Sequence, residues 1–200
     1  MIQAAFYCVL AMVQFAVPSY TGAPASSSGP CSLPFTDTFA GSGALGACWT
    51  QSTGGGLVSL VRSSGTATAA SAGTAVAFET GSGTATTQSI QTVYSFAGSN
   101  HAALIVRSNL ANNTNYTWSP SDTNVYAIVA GSATVIAHPP LPSSGNTLKF
   151  SVTGTSVTWL NVTTGATGTI TNSAVSAAGY AGLQSETGTN AQSFGSTVVN

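Results

Sequence analysis

The sequence predicts an all-β protein made of two packed antiparallel sheets. From Cys31 onward, short β-branched or aromatic runs alternate with clusters of Gly, Ser, Asn and Thr about every eight to twelve residues, which is typical of β-sandwiches and barrels. Several runs alternate apolar and polar residues with a period of two, and no segment after residue 30 keeps the 3.6-residue period of a helix. About a dozen such runs are more than one sheet holds comfortably, so two sheets are expected.

The predicted strands follow the chain in order. Alternation is clearest in 90–96, where Ile90, Tyr94 and Phe96 share one face, and in 148–152, where every second residue is apolar. Residues 153–155 have a central glycine and predict a three-residue hairpin loop leading into 157–159. Residues 138–142 contain three prolines and predict a rigid connection. The other predicted strands are 35–39, 57–62, 75–78, 102–107, 125–130, 134–137, 179–184 and 193–198.

The composition excludes several functions. The 200 residues include four acids and three bases, for a net charge of −1, whereas 57 are Ser or Thr. Three scattered cations cannot neutralise a run of phosphates, so nucleic acid is excluded as a partner. A coiled coil would need Glu, Lys, Arg and Leu, which are scarce. A nearly uncharged surface gives little electrostatic repulsion between copies of the protein. Two interpretations follow: the surface is covered by sugar, or the protein belongs to a close-packed assembly.

Residues 1–30 are predicted to form a separate apolar N-terminal segment with a Ser/Pro/Gly linker, followed by one domain over 31–200. As a helix, residues 2–17 would span about 24 Å, short of the ~30 Å hydrocarbon layer. Residues 23–25 offer small residues for signal cleavage, but no Lys or Arg precedes Arg62. A signal peptide, a retained assembly arm and a membrane anchor all remain open, and any membrane contact is expected through 2–17 only.

Three cysteines bear on the cellular location. Removal of the apolar segment would take Cys8 with it and leave Cys31 and Cys48 as a pair. A bridge between them would close a loop of about 17 residues and contribute about 3 kcal/mol, and it would favour an oxidising, extracellular compartment. Two buried free thiols are the alternative.

Four segments resemble one known superfamily. Residues 35–39 with Trp49, the strand 103–109, the paired run 146–159 and the segment 179–183 are similar, in this order, to the concanavalin A-like (laminin G-like) domains. The resemblance implies a jelly roll of about 12–14 strands with one concave face, in which the last strand, 194–198, lies beside the first. The superfamily includes lectins, glucanases, adhesion modules and viral surface proteins, so it fixes no function.

Catalytic chemistry has little support in the sequence. Glycoside hydrolysis needs two carboxylates flanking one bond, and the Glu-x-Asp-x-Glu strand of jelly-roll glucanases is absent. Glu79 and Glu186 both precede Thr-Gly and could meet only if the fold brings them together. Asp37 is expected to make a local backbone hydrogen bond, and Asp122 to lie in a turn. No cofactor and no metal are predicted, although either aspartate with backbone carbonyls would suit a structural calcium ion.

Aromatic and amide side chains give a better candidate. Tyr116 and Trp118 alternate and therefore share a face, and Tyr126 follows in the next strand. Such rings stack on sugars while neighbouring amides fix orientation. The predicted glycan site is therefore Tyr116, Trp118, Tyr126, Asn113, Asn115 and Asn124. The alternative places these rings in the core, as expected for Trp49 and Trp159.

Three Asn residues, Asn112, Asn115 and Asn161, match the N-glycosylation sequon, about as many as chance gives in a Ser/Thr-rich chain. Taken together, the sequence predicts a non-catalytic structural or adhesive module of an extracellular or virion surface, with weak glycan binding. Its expected partners are glycans or neighbouring copies of itself. A secreted lectin-like domain is the first alternative, and a glycoside hydrolase of the same fold is the second.

Overall fold

The computed structural model describes residues 31–52, 56–81, 83, 85–96, 102–187 and 193–200. The predictions for residues 1–30 lie outside these ranges. Within the described ranges, no helix has the length and hydropathy needed to cross a lipid bilayer.

The described chain consists of β-strands, with a single 3₁₀ turn at Pro120–Asp122. In chain order, the strands are β1 (Phe35–Asp37), β2 (Ser42–Ala44), β3 (Trp49–Gln51), β4 (Leu60–Ser63), β5 (Thr66–Ala69), β6 (Gly73–Glu79), β7 (Gln88–Ser95), β8 (Ala102–Asn109), β9 (Thr114–Ser119), β10 (Asn124–Val129), β11 (Ser132–Ala137), β12 (Asn146–Thr153), β13 (Ser156–Asn161), β14 (Thr167–Thr171), β15 (Tyr180–Thr187) and β16 (Ser193–Val199).

These strands form two antiparallel sheets, which confirms the predicted all-β sandwich. The nine-stranded sheet has the order β14-β13-β12-β7-β16-β5-β4-β2, with β1 paired to β16. The seven-stranded sheet has the order β11-β10-β9-β8-β15-β6-β3. Phe35 pairs with Val199, so the last strand lies beside the first, as the resemblance implied.

The core lies between the sheets and follows from the period-two pattern. In β12, Leu148, Phe150 and Val152 are fully buried, while the intervening side chains are partly exposed. The ring of Trp118, from the opposite sheet, lies with its centroid 6.2 Å from that of Phe150. Full burial of one such side chain contributes about 1.5–3 kcal/mol, so the alternating strands hold the two sheets together.

A disulfide and one carboxylate join the sheets at one end. Cys31 and Cys48 form the predicted disulfide. The carboxylate of Asp37 accepts hydrogen bonds from Phe39 N at 2.7 Å, from Trp49 Nε1 at 2.9 Å and from Arg62 Nη2 at 3.2 Å. The expected local bond of Asp37 is therefore present. The bond from Trp49 crosses between the sheets, and the bond from Arg62 joins β1 to β4 within the nine-stranded sheet.

The structure differs from the sequence predictions in a few short elements. Strands β2, β3, β5 and β14 were not predicted, because they are three to five residues long and, apart from Trp49 and Ile170, contain only small or polar residues. The hairpin loop between β12 and β13 has two residues instead of the predicted three, since Thr153 pairs directly with Ser156. Residues 138–142 connect the sheets outside any strand, as predicted.

Tyr94 provides a test of the core through pH. The residue is fully buried in β7, and burial raises the pKa of Tyr94 to about 12. An unfolded tyrosine titrates near pH 10, so between about pH 10 and 12 the unfolded chain loses a proton that the native chain keeps. The free energy of unfolding should therefore be intact below pH 10 and fall as pH rises, by up to about 3 kcal/mol from this group.

We expect Tyr94→Phe to flatten this alkaline loss, measured by urea unfolding at pH 8 and at about pH 11. Some loss should persist, because burial also raises the pKa of Tyr126. Equal losses of stability in the variant and the parent chain would contradict the assignment.

Candidate functional site

The predicted site residues of strand β9 lie on opposite faces of the seven-stranded sheet. Tyr116 and Trp118 point into the core, at 0% and 1% exposure. The intervening Asn115 and Thr117 therefore point to the opposite side of the seven-stranded sheet, together with Tyr126 of β10, which pairs with Thr117. We call this side, away from the nine-stranded sheet, the outer face.

Tyr116 is a core residue. Its hydroxyl donates to the carbonyl oxygen of Asn172 at 2.8 Å and accepts from Val175 N at 3.1 Å. These bonds and the complete burial of the ring leave no surface on which a sugar could stack. The prediction that Tyr116 binds glycan is therefore corrected: it shares a face with Trp118, as expected, but that face is the core.

Trp118 also lies outside the outer face. Its ring contacts Phe150 and Trp159, each with a centroid separation of 6.2 Å. It cannot join a glycan site on the outer face, because the sheet itself lies between them. The structure thus separates Trp118 from the Tyr126 side chain with which it was grouped.

Tyr126 and Asn124 do lie together on the outer face. Asn124 Nδ2 donates to Tyr126 Oη at 2.9 Å, and both side chains are partly exposed. Their neighbour in the adjacent strand β11 is Val135, which pairs with Tyr126 and is 41% exposed. This is the part of the predicted glycan site that solvent reaches.

The side chains of Asn113 and Asn115 are buried and hydrogen-bonded inside the fold. Thr117 Oγ1 donates to Asn115 Oδ1 at 2.6 Å, and Asn115 Nδ2 donates to Asn113 Oδ1 at 3.1 Å. All three side chains are buried. They form an internal chain of hydrogen bonds beside the Tyr126 surface and do not themselves reach it.

The three sequons differ in accessibility. Asn112 is exposed. Asn115 and Asn161 are 3% and 7% exposed, and the Nδ2 atom that would carry a sugar donates instead to Asn113 and to Asn146, respectively. In the folded chain, Asn112 is the one position of the three that has room for a glycan.

The two glutamates that the sequence singled out lie on opposite faces of the seven-stranded sheet. Glu79 follows Ala75 and Ala77 on the core side of β6 and is fully buried, accepting from Gly81 N. Glu186 pairs with Thr74 on the outer face and accepts from its hydroxyl at 3.1 Å. Thr74, which lies opposite Glu186, is five positions from Glu79 along β6, or about 17 Å of strand.

The remaining ionisable groups serve the fold. Asp122 accepts from Ser119 Oγ at 2.8 Å in the 3₁₀ turn, as a turn residue should. Arg107 is buried and donates to the carbonyl oxygens of Thr86 and Val175. Burial lowers the pKa of Arg107. Among the described residues, no three His, Cys, Asp or Glu side chains cluster as metal ligands would.

A cavity that the sequence did not predict lies at the edge of the sandwich. It has a volume of about 180 Å³ and is lined by Trp118, Trp159 and the connection at Pro140–Ser143. Trp159 had been assigned to the core, but it is partly exposed here. The aromatic pair comes from different sheets, so no local pattern in the sequence could have brought them together. We call this space the edge cavity.

Similar folds occur among solved structures. The exoplasmic/lumenal domain of VIP36, bound to Ca²⁺ and Man3GlcNAc, has a TM-score of 0.57 and 11% identity over 76% of this chain and 83% of that one. The carbohydrate-binding module CBM66 from Bacillus subtilis gives 0.50 and 16% over 76% and 92%. A prokaryotic β-1,3-1,4-glucanase (lichenase) derived from a mouse hindgut metagenome gives 0.56 and 9% over 83% and 98%.

No protein-family model and no curated protein matches this chain. At these identities, the structural likeness establishes a shared fold.

Proposed function

We propose that this chain, which has the concanavalin A-like jelly-roll fold, is a non-catalytic surface module that binds glycan weakly at Tyr126 and Asn124. Two of the similar structures are named as a sugar-bound domain and a carbohydrate-binding module. The Cys31–Cys48 disulfide supports an extracellular setting, since such bonds persist in oxidising compartments.

The observation that carries the proposal is the accessible Tyr126–Asn124 pair. The amide of Asn124 holds the phenol in place at 2.9 Å, so the ring is oriented before any ligand arrives. A fixed aromatic face beside amide and hydroxyl groups suits a sugar ring, and it loses little entropy on binding. The absence of a charged group in the pair fits a neutral ligand.

The arrangement of carboxylates supports a role without catalysis. Paired acids of glycosidases lie about 5–10 Å apart across one bond. Glu79 and Glu186 project from opposite sides of one sheet, and Asp37 is held by three donors. Glu79 and Glu186 therefore do not flank one bond as the two acids of a glycosidase do.

On a glycan array, we expect measurable binding by the parent chain and about tenfold weaker binding by Tyr126→Ala, because the stacking face is lost. Tyr126→Phe keeps the ring and should lose less. Val162→Ala, an exposed side chain beyond β13, is the control and should bind like the parent. Equal binding by all variants, or no binding by the parent chain, would refute the glycan site.

With β-1,3-1,4-glucan as substrate, we expect no release of reducing ends by the parent chain, measured over a day against a lichenase control. The physical reason is the separation of the acids. Turnover that disappears in Glu79→Gln or Glu186→Gln would show that the chain is an enzyme.

A second role, as a building block held to neighbouring copies, is favoured by strand β11. It forms one edge of the seven-stranded sheet, and its first four residues are exposed. It contains no charge and no proline, and its Val135 side chain is 41% exposed. Natural proteins usually protect such edges, because a bare edge pairs with another strand.

If β11 mediates association, Val135→Lys should shift the chain toward monomer, since an edge lysine opposes strand pairing. Analytical ultracentrifugation across a concentration series measures this. Val162→Lys is the control for exposure, because Val162 is 43% exposed against 41% for Val135 but lies just beyond β13, away from the β11 edge. A parent chain that is monomeric throughout would contradict the role.

A further inference from the structure

The edge cavity has two aromatic walls. The rings of Trp118 and Trp159 lie with centroids 6.2 Å apart and planes inclined by 50°. Pro140 and Pro142, in the connection from β11 to β12, complete the apolar lining. Leu141, also in the lining, is 57% exposed, so the cavity opens to the surface.

The position of Trp159 depends on a glycine in the next strand. Gly168 pairs with Trp159 across β13 and β14. A Cβ atom at Gly168 would lie 2.5 Å from Cζ2 of the indole, which is too close for real atoms. The missing side chain therefore lets the indole lie against the backbone of β14 and form the wall of the cavity.

One hydrogen-bond donor in the lining has no partner. Trp118 is 1% exposed, and its Nε1–H bonds to nothing among the described residues. A buried donor without a partner destabilises the fold, so a ligand acceptor that reached Trp118 Nε1 from the cavity would remove that penalty. The other buried indole donor, Trp49 Nε1, is paired with Asp37.

Two asparagines also contribute polar atoms to the cavity. Asn146 Oδ1 accepts from Asn161 Nδ2 at 2.7 Å and from Ser143 N at 3.2 Å. Its carbonyl oxygen is thereby fixed by the protein, which leaves the amide group of the same side chain as a donor. The residues that line the cavity include no charged side chain, which disfavours an ionic ligand.

The volume of about 180 Å³ limits the ligand to one ring. A cavity of about 150 Å³ in a protein interior holds one benzene molecule. From the size, the indole walls and the unpaired donor, we infer that the edge cavity is a second binding site, for a single neutral pyranose such as the terminal sugar of a glycan. The C–H face of the sugar lies on Trp159, and a ring or hydroxyl oxygen accepts from Trp118 Nε1.

The site is independent of Tyr126 and Asn124, because it lies on the other side of β9, between the sheets. Its occupant is one ring, whereas the outer face offers an open surface. A sugar can therefore bind in the edge cavity whether or not the Tyr126–Asn124 site binds glycan.

The test uses the full chain and a panel of methyl glycosides of glucose, mannose, galactose and N-acetylglucosamine, followed by tryptophan fluorescence and by the indole N–H resonances. We expect saturable binding of at least one glycoside at millimolar concentration, with a shift of the Trp118 resonance. Trp118→Phe keeps an aromatic ring but removes the donor, and it should weaken binding roughly three- to tenfold.

Gly168→Ala should abolish binding by displacing the Trp159 ring. Trp49→Phe removes an indole outside the cavity, so it should bind the methyl glycoside like the parent chain. Near-ultraviolet circular dichroism checks that each variant is folded. If Gly168→Ala does not fold, the affinity of Trp118→Phe and the shift of the Trp118 resonance in the parent chain still test the inference.

Three results would overturn the inference. The first is no binding of any methyl glycoside by the parent chain at about 50 mM, far above the range in which a specific weak site saturates. The second is binding of benzyl alcohol but no sugar, which would show a merely apolar cavity. The third is sugar binding that neither Trp118→Phe nor Gly168→Ala changes.

Discussion

The structure depends on the contact between two apolar sheet faces, because the chain has little else to hold it. Four acids and three bases leave almost no scope for ion pairs, and the one among the described residues joins Arg62 to Asp37. Buried amides and hydroxyls bond instead to one another, as in the Thr117–Asn115–Asn113 chain. Such groups carry no net charge into the interior, so their burial costs less than that of ions.

Much of the fold was predictable because the strong signals are local. The alternation in 148–152 placed Leu148, Phe150 and Val152 on one face, and the structure buries all three. The prolines of 138–142 correctly excluded a strand. Strand β14, in contrast, has Thr and Gly where a predicted strand would have apolar residues, and it exists because β13 offers an edge for pairing. That information lies in another part of the chain.

The site was predictable only in part, for a different reason. Periodicity shows which residues share a face, but not whether that face meets the core or solvent. Tyr116 and Trp118 were correctly grouped, yet they face inward, and only Tyr126 and Asn124 remain accessible. The edge cavity needs Trp118 from one sheet, Trp159 from the other and the gap left by Gly168. No spacing in the sequence connects these three.

The place of β16 has a consequence for how the polypeptide is made. This strand, Ser193–Val199, pairs with β1, β5 and β7 in the middle of the nine-stranded sheet. Until it leaves the ribosome, the nascent sheet stays divided into two ribbons whose inner edges lack a neighbour. Contacts so distant in sequence form slowly, and unpaired edges invite misassociation in the meantime. The two ribbons can therefore pair into one sheet only after Ser193–Val199 has been synthesised.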